Sequence, residues 1–308
     1  MSLAPPRSPL QTHAARTQRP QGFGLAAVVL MAGSVRQTDL GRGTQRAILD
    51  LPLRNRWTIG ECWSEHVEEL RRDWELPDLP MVVAANSIAG VPKLAASFPN
   101  TTVRVDSGEA RGSGGALRDV TRGFDPNAYV LAAPGHALTR EPIAPLLERL
   151  AATGADAVIH ASEASTPSGF FLLRCGALDG VSVNGFADLK EQVLPQLAKT
   201  RDVRVVRTAT PLPVAVRSLE GYMRALRAAS DTGQLGADAG PLEDWRSAFA
   251  IVEDDAEVHS TARLHDSVVL AGGHVGPGAL VVRSVVGAGG VVKAKETVFD
   301  RVVGGEKP

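Results

Sequence analysis

Short apolar segments alternate with amphipathic segments along most of the chain. Apolar runs of strand length occur at residues 25–31, 81–85, 101–105, 129–133, 156–161, 169–174, 203–207 and 213–217. Between several of them, apolar residues recur every three or four positions, as in residues 59–72 and 141–154. This alternation predicts a mostly parallel sheet covered by helices on both faces. We therefore expect a doubly wound α/β domain over residues 24–229, with ligands at the carboxyl ends of its strands.

The hydrophobic period changes after residue 250. Val252, Val258, Leu264 and Leu270 recur every six residues, and the small residues Ala256, Ala262 and Val268 follow four positions later in each unit. After a slip of one residue, the pattern resumes with Val275, Ala279, Val281 and Val285. A six-residue period is typical of a triangular parallel β-solenoid, and a pair of ordinary hairpins is the alternative. We predict a short β-helix over residues 251–308, after a Gly- and Asp-rich linker at 230–250.

The first 23 residues have two competing explanations. They contain Arg7, Arg16, Arg19, four prolines and no acidic residue, and the apolar run after them ends in Met-Ala-Gly-Ser. That order is typical of a secretion signal. The block 28–30, Val-Val-Leu, is instead typical of a buried parallel strand. We favour the strand, with residues 1–23 as a disordered tail and a cytoplasmic location.

Composition narrows the function classes. The chain has 33 basic and 34 acidic residues, so no overall positive charge points to nucleic acid or to an anionic membrane. No apolar run approaches the ~20 residues of a membrane span. Cys62 and Cys175 occur in unrelated contexts and form no zinc or redox motif. We expect no nucleic acid and no membrane among the partners.

Taken in order, the segments resemble a known family, the sugar-1-phosphate nucleotidyltransferases with a C-terminal left-handed β-helix. "AAVVLMAG" (26–33) is similar to the family's first strand, AVILAGG, and "GSGGAL" (112–117) to GTAGAL, whose backbone receives the nucleobase. "YVLAAPGHALT" (129–139) is similar to FLVLNGDVLT, and "VAVRSLEGYMRAL" (214–226) to WVDIGTPEDYLRA. The resemblance spans roughly residues 25–300. It implies a nucleotide or nucleotide sugar as partner, and Mg²⁺-dependent attack of a sugar phosphate on a nucleoside triphosphate with release of pyrophosphate.

The residues that carry the family's chemistry do not match. Where the resemblance implies two Mg²⁺-binding aspartates, this chain has His136 and Ala215. Neutral imidazole is a poor Mg²⁺ ligand and a methyl group is none. We therefore predict no metal ligands and no certain cofactor, with Mg²⁺ only if the protein is active. His136 is interpreted as a loop residue, with a replacement acid/base role as the alternative.

Part of the nucleotide site is retained. The glycine-rich loop keeps Gly33 but has Ser34 as its second position, and Arg46 stands where the family has lysine, which is not an equivalent residue at a tight phosphate site. We predict that the nucleotide is bound by Gly33, Arg36, Gly112, Gly114 and Gly115, with Arg42 and Arg46 as further candidate anion contacts. Solvated loop arginines, and glycines kept only for the shape of a turn, are the alternatives.

Three functions follow from this. We favour a nucleotide- or nucleotide-sugar-binding homologue with weak or no catalysis that regulates or scaffolds an active partner. One alternative is an active nucleotidyltransferase with an altered site. The other is an acyltransferase acting through the β-helix, suggested by His259, His265 and His274 within the solenoid repeats. Because a short solenoid leaves strand edges to be covered, we also expect a homo-oligomer or a complex with an active homologue.

Overall fold

A seven-stranded sheet forms the centre of the first domain in the computed structural model, which describes residues 17–33, 36–54, 57–94, 98–106, 111–230 and 249–305. Its strands are β1 (Leu25–Met31), β4 (Met81–Asn86), β5 (Thr101–Asp106), β6 (Tyr129–Pro134), β8 (Ala157–Ser162), β9 (Pro167–Arg174) and β10 (Val203–Thr208). They lie in the order β10-β8-β9-β6-β1-β4-β5. Within this sheet β9 runs antiparallel to its neighbours and the other pairs are parallel. The predicted mostly parallel sheet is confirmed.

Helices cover both faces of this sheet. They are α1 (Asp39–Thr44), α2 (Ile59–Asp73), α3 (Gly112–Thr121), α4 (Ile143–Ala151), α5 (Leu194–Leu197) and α6 (Leu219–Ser230). Short 3-10 turns lie at Ile48–Asp50 and Cys175–Leu178, and a π-helical turn at Leu189–Val193 runs into α5. Two antiparallel strand pairs complete the domain: β2 (Pro52–Arg54) with β3 (Trp57–Thr58), and β7 (Ala137–Leu138) with β11 (Val214–Ala215). No helix in the described residues is long and apolar enough to cross a membrane.

Strand β1 lies at the middle of the sheet and is buried on both faces. Val28 and Leu30 belong to the apolar cluster formed with α2, α4 and α6, whereas Ala27 and Val29 belong to the cluster formed with α3. Side chains alternate between the two faces of a strand, so a strand covered on both sides needs an unbroken apolar run. The continuous run at residues 25–31 is therefore a central strand, as predicted.

The start of α2 shows how local sequence fixes a helix. Thr58 is the N-cap: its Oγ1 accepts a hydrogen bond from the backbone N–H of Glu61 (3.2 Å), and the Glu61 carboxylate accepts one from the Thr58 N–H (2.5 Å). This reciprocal capping box satisfies two backbone donors at the helix start. The apolar face predicted for this helix is buried against the sheet, including Ile59, Trp63 and Leu70.

Residues 17–23 contact the α/β domain. The hydroxyl of Thr17 donates to Oδ2 of Asp73 (3.3 Å), and the ring of Phe23 stacks on Tyr129 at 4.8 Å and meets Trp74 edge-on at 5.9 Å. An aromatic side chain placed between two others buries apolar area that a tail would leave in water. The folded domain therefore begins before residue 24, which corrects the predicted boundary of the tail. Residues 1–16 lie outside the described residues.

The second domain is a three-sided parallel β-solenoid. Its first sheet consists of β12 (Ala250–Val252), β15 (Ser267–Val269), β18 (Val285–Val286) and β21 (Val302–Val303). The second consists of β13 (Glu257–Val258), β16 (His274–Val275) and β19 (Val291–Val292), and the third of β14 (Arg263–His265), β17 (Leu280–Val282) and β20 (Thr297–Phe299). Paired residues in successive coils, such as Val252 and Val269, are 17 positions apart (269 − 252). The linker predicted at 230–250 falls largely on residues 231–248, which lie outside the described residues.

One side of each coil departs from the predicted six-residue period. The interior cluster contains Val269, Val275, Val281, Val286, Val292 and Val298, so two steps of six are followed by one of five. Val269, and not Leu270, therefore takes the inward position. Leu270, Val268 and Val285 instead belong to the core cluster of the α/β domain. The first sheet of the solenoid thus presents an apolar face to the α/β domain, and the two domains share one continuous core.

Candidate functional site

A cleft of about 800 Å³ opens at the carboxyl edge of the sheet. Met31, Asn86, Asp106 and Pro134, at the ends of four strands, line it together with residues 36–38 before α1 and with Gly112 and Ser113 at the start of α3. This is where open α/β sheets bind ligands, and the volume suits a small molecule.

The strand pair β7–β11 brings His136 and Ala215 together at this cleft. Ala215 lies opposite Ala137 in the pair, and the N–H of Val216 donates to the carbonyl of His136 (2.8 Å). Both His136 and Ala215 line the cleft. The two positions that the resemblance assigns to metal-binding aspartates are therefore neighbours in space, but neither side chain is a carboxylate.

Helix α2 holds the strand that follows His136. Nε1–H of Trp63 donates to the carbonyl of Ala137 (3.0 Å), and Nε2 of His66 lies 3.1 Å from the carbonyl oxygen of Thr139. Both side chains are buried, so these bonds form without competition from water. The backbone beside His136 is thus fixed from within the core.

His136 is neutral at physiological pH. Burial, together with the positive charge of Arg217, lowers the pKa of His136 to about 4. A neutral imidazole beside a methyl group does not fit Mg²⁺, which takes oxygen ligands. Within the described ranges, no three His, Cys, Asp or Glu side chains are grouped so that they could hold a metal ion.

Positive charge reaches the cleft from three separate segments, through Arg36, Lys190 and Arg217. Sequence analysis identified Arg36 and missed the other two. Lys190 is directed by a local motif: the Asp188 carboxylate accepts hydrogen bonds from the N–H groups of Lys190 (2.8 Å) and Glu191 (3.0 Å), which starts the π-helical turn. Asp188 and Lys190 lie in the segment FADLKEQVLPQL (186–197), where an aspartate just before the helical turn is a capping pattern that the sequence alone makes visible.

Two carboxylates also line the cleft. Oδ2 of Asp188 accepts a hydrogen bond from the hydroxyl of Ser113 (3.1 Å), in addition to its role as a helix cap. Burial raises the pKa of Asp106, and a hydrogen bond from the backbone of Arg111 partly offsets that rise. The cleft therefore combines three cations with two carboxylates, and the carboxylate of Asp188 already accepts three hydrogen bonds, from Ser113, Lys190 and Glu191.

The backbone N–H of Asp188 in turn donates to Oε1 of Gln192 (2.7 Å). Because Asp188 is held in this way, the segment around it forms a fixed wall of the cleft. The carbonyl of its neighbour Ala187 accepts hydrogen bonds from two of the glycines predicted to bind the nucleotide.

Glycines at the start of α3 form backbone hydrogen bonds with another segment of the chain. The N–H groups of Gly114 (2.8 Å) and Gly115 (3.2 Å) donate to the carbonyl of Ala187, which satisfies donors that the helix start leaves unpaired. Gly112 has φ +71°, and a Cβ added there would lie 2.5 Å from the same oxygen. Gly112 lines the cleft, but Gly114 and Gly115 do not. For those two, the structure shows a packing role against Ala187, and nucleotide binding by them stays a prediction.

The remaining predicted residues separate into two groups. Gly33 and Arg36, predicted to bind the nucleotide, line the cleft, and Ser34 lies outside the described residues. Arg46 instead binds Glu253 of the solenoid through two short bonds, Nη1 to Oε1 (2.7 Å) and Nη2 to Oε2 (2.6 Å). The hydrogen bonds to Glu253 raise the pKa of Arg46. Arg46 is therefore an interdomain contact, which corrects its assignment as a phosphate contact.

Arg42 and the solenoid histidines lie outside the cleft lining. Arg42 forms an exposed ion pair with Asp39 (3.2 Å). His259, His265 and His274 are exposed, and their ring nitrogens lie near side chains of the solenoid itself: Thr261 (2.9 Å), Asp266 (3.7 Å) and Glu257 (2.9 Å). None of the three lines the described cleft.

Comparison with known proteins bears on the fold. The sequence matches no protein-family model and no curated protein. A protein from Bacillus anthracis assigned as a glucose-1-phosphate thymidylyltransferase, solved in complex with a sucrose, has a similar structure with a TM-score of 0.51 and 13% identity, over 67% of this chain and 95% of that one. HddC from Yersinia pseudotuberculosis gives a TM-score of 0.49 and 10% identity, over 66% and 99%. The first match shows a nucleotidyltransferase-like α/β fold.

Proposed function

We propose that this chain binds a nucleotide or a nucleotide sugar and has weak or no nucleotidyltransferase activity, acting as a regulatory or scaffolding homologue. The observation that carries the proposal is the composition of the cleft beside β7 and β11. Three cations line it, whereas His136 and Ala215 occupy the two positions where metal-binding carboxylates are expected. Cations attract phosphate groups without a metal. Transfer of a nucleotidyl group needs more, because charge develops on several phosphate oxygens at once.

Calorimetric titration with ATP, CTP, GTP, UTP, dTTP and UDP-glucose, with and without Mg²⁺, tests the proposal. We expect at least one of them to bind, with an affinity that Mg²⁺ changes by less than about twofold. The matched variant His136→Asp/Ala215→Asp restores two carboxylates, and for it we expect Mg²⁺ to strengthen binding about tenfold. Mg²⁺-dependent release of pyrophosphate by the unaltered chain at an ordinary enzyme rate of ~1–10³ per second, given a sugar phosphate and a nucleoside triphosphate, would contradict it.

An active enzyme with an altered site is the second candidate. Asp106 and Asp188 line the same cleft and are the carboxylates available to it. If they replace the missing ligands, Asp106→Asn should abolish pyrophosphate release while nucleotide binding without Mg²⁺ persists. No comparable observation favours acyl transfer by the solenoid.

The solenoid supports further parts of this proposal. Two of the three sides of each coil have the six-residue length of hexapeptide repeats, which in a left-handed β-helix form flat parallel sheets. We include left-handedness in the proposal, together with a cytoplasmic location. The final strands of the three solenoid sheets suit a second copy of this chain or an active homologue. Light scattering after size exclusion measures this: a mass that stays that of one chain at every concentration would rule out the homo-oligomer.

A further inference from the structure

Helix α1 connects the cleft to the solenoid. Thr38 and Gly41, at its first turn, line the cleft. Gly43, at its last turn, lies against the solenoid so closely that an added Cβ would overlap Val302. The helix has six residues, and at 1.5 Å per residue its two ends are only about 9 Å apart. A displacement at one end is therefore passed on to the other.

The contact between α1 and the solenoid is made by backbone. A Cβ on Gly287 would overlap the carbonyl oxygen of Gly43, and a Cβ on Gly304 would lie 2.5 Å from it. A side chain larger than that of glycine is excluded at Gly43, Gly287 and Gly304, so the two surfaces fit in one arrangement. Interiors packed in this way transmit strain and do not absorb it.

A charged contact holds the chain directly after α1. Arg46 binds Glu253 with both terminal nitrogens, and the side chains are about three-quarters buried, with 24% and 23% exposed. Oε2 of Glu253 also accepts a hydrogen bond from the N–H of Ala271 in the next coil (2.7 Å). The carboxylate is thus held by the backbone of the solenoid as well as by the guanidinium of Arg46. Bidentate pairs of this kind specify orientation as well as proximity.

We propose that the solenoid positions the α1 wall of the cleft, with Arg46 and Glu253 as positioning residues for the ligand. This inference rests on the proposed nucleotide-binding function. It assigns the second domain a role in the affinity of the first: the docked solenoid holds the first turn of α1 in place for binding. By linkage, a ligand that binds the docked arrangement better also strengthens docking.

The test compares Arg46→Gln and Glu253→Gln with Arg283→Gln. Arg283 forms an equally short bidentate pair with Asp300, at 2.7 and 2.6 Å, but that pair lies within the solenoid. Hydrogen exchange reports on α1 through the N–H of Arg42, which donates to the carbonyl of Thr38 (2.9 Å). Affinity is measured for the five nucleoside triphosphates named above. The charge-exchanged variant Arg46→Glu/Glu253→Arg measures rescue.

We expect both interface variants to speed exchange at Arg42 and to weaken nucleotide binding about tenfold, with no change in Arg283→Gln and partial recovery on charge exchange. Bound nucleotide should in turn slow exchange at the Ala271 N–H, an effect that a purely structural ion pair would not produce. Unchanged exchange at Arg42, or unchanged affinity in a chain that binds nucleotide, overturns the inference. If the unaltered chain binds no nucleotide, the proposed function and the ligand-linked role fail together, whereas altered exchange at Arg42 would still establish that the solenoid holds α1.

Discussion

The cleft and the domain interface lie at opposite ends of α1, and their charged side chains are arranged differently. At the interface, Arg46 and Glu253 match each other atom for atom and are largely buried. In the cleft, Lys190 and Arg217 are exposed side chains gathered from segments far apart in the sequence. A matched pair is typical of a structural joint, whereas several cations lining one cleft, here together with Asp106 and Asp188, are typical of a site for a charged ligand. Arg36 lines the cleft and Arg46 lies at the domain interface, although only ten positions separate them (46 − 36).

The largest effect is expected where the interface is tightest. Gly287→Ala places a methyl group against the carbonyl oxygen of Gly43, so either α1 or the coil has to move. We expect the free energy of unfolding to fall by about 3 kcal/mol, as is typical of overpacking. Chemical denaturation measures the change. Gly180→Ala is the matched control, because nothing lies within 4 Å of a Cβ at that position; equal stability of the two variants would contradict the tight contact.

On the cleft side, the neutral side chain of His66 contacts the carbonyl of Thr139, and acid should weaken this contact. Burial lowers the pKa of His66 from 6.5 to about 4, so the unfolded chain takes up a proton before the folded chain does as the pH falls. Stability from this group is complete above pH 6.5 and is lost as the pH falls toward 4. We expect a loss of about 2 kcal/mol between pH 7 and pH 5.

The variant His66→Gln isolates this contribution, since an amide keeps an N–H for the Thr139 carbonyl but does not titrate. Its stability should fall less steeply over the same pH range. If thermal unfolding of the variant and of the unaltered chain shows the same pH dependence, His66 is not the group that titrates.

Removing one cation from the cleft should weaken ligand binding. We expect Lys190→Gln and Arg217→Gln each to reduce nucleotide affinity about tenfold and to flatten its dependence on salt, because each removes one contact with an anion. Calorimetry at two salt concentrations measures both effects. Arg204→Gln is the control, since Arg204 lies on the edge strand β10, is paired with Asp202 and is absent from the cleft lining. A similar loss in that control would mean that net charge, and not the cleft, determines affinity.

The smallest effect is expected at His136. Because its pKa is about 4, the imidazole stays neutral between pH 6 and pH 8 and contributes no charge to the site. Affinity in His136→Gln should remain within about twofold of the unaltered chain across that range. A pH-dependent affinity that disappears in the variant would assign His136 a charged role.

Sequence analysis was most successful where burial repeats with a regular period. The strands and the apolar face of α2 follow directly from side-chain alternation and helical spacing, and the structure confirms them. The family resemblance also placed His136 and Ala215 at the two positions of one expected metal site, and the structure brings them close together although 79 positions separate them (215 − 136). Both successes rest on patterns that are local, or whose order along the chain is preserved.

The residue roles that sequence analysis missed depend on contacts between distant segments. Nothing beside Arg46 in the sequence indicates that Glu253 will face it, and nothing beside Gly114 indicates the carbonyl of Ala187. Leu270 fits the solenoid period, but the five-residue side of each coil turns it outward to the other domain. In each case, a contact between segments that are distant in the sequence determines the role of the residue.

The docking of α1 has a consequence for the order in which the protein is built. Its contacts with the solenoid join residues 207 and 260 positions apart, and a six-residue helix has little stability alone. During synthesis, the strands of the sheet are complete long before the successive coils that carry Gly287 and Val302 leave the ribosome. The nascent chain therefore passes through a stage in which the sheet exists without one wall of its cleft. Such non-local contacts form late, so we expect the α1 wall of the cleft to be completed only after most of the solenoid has been made.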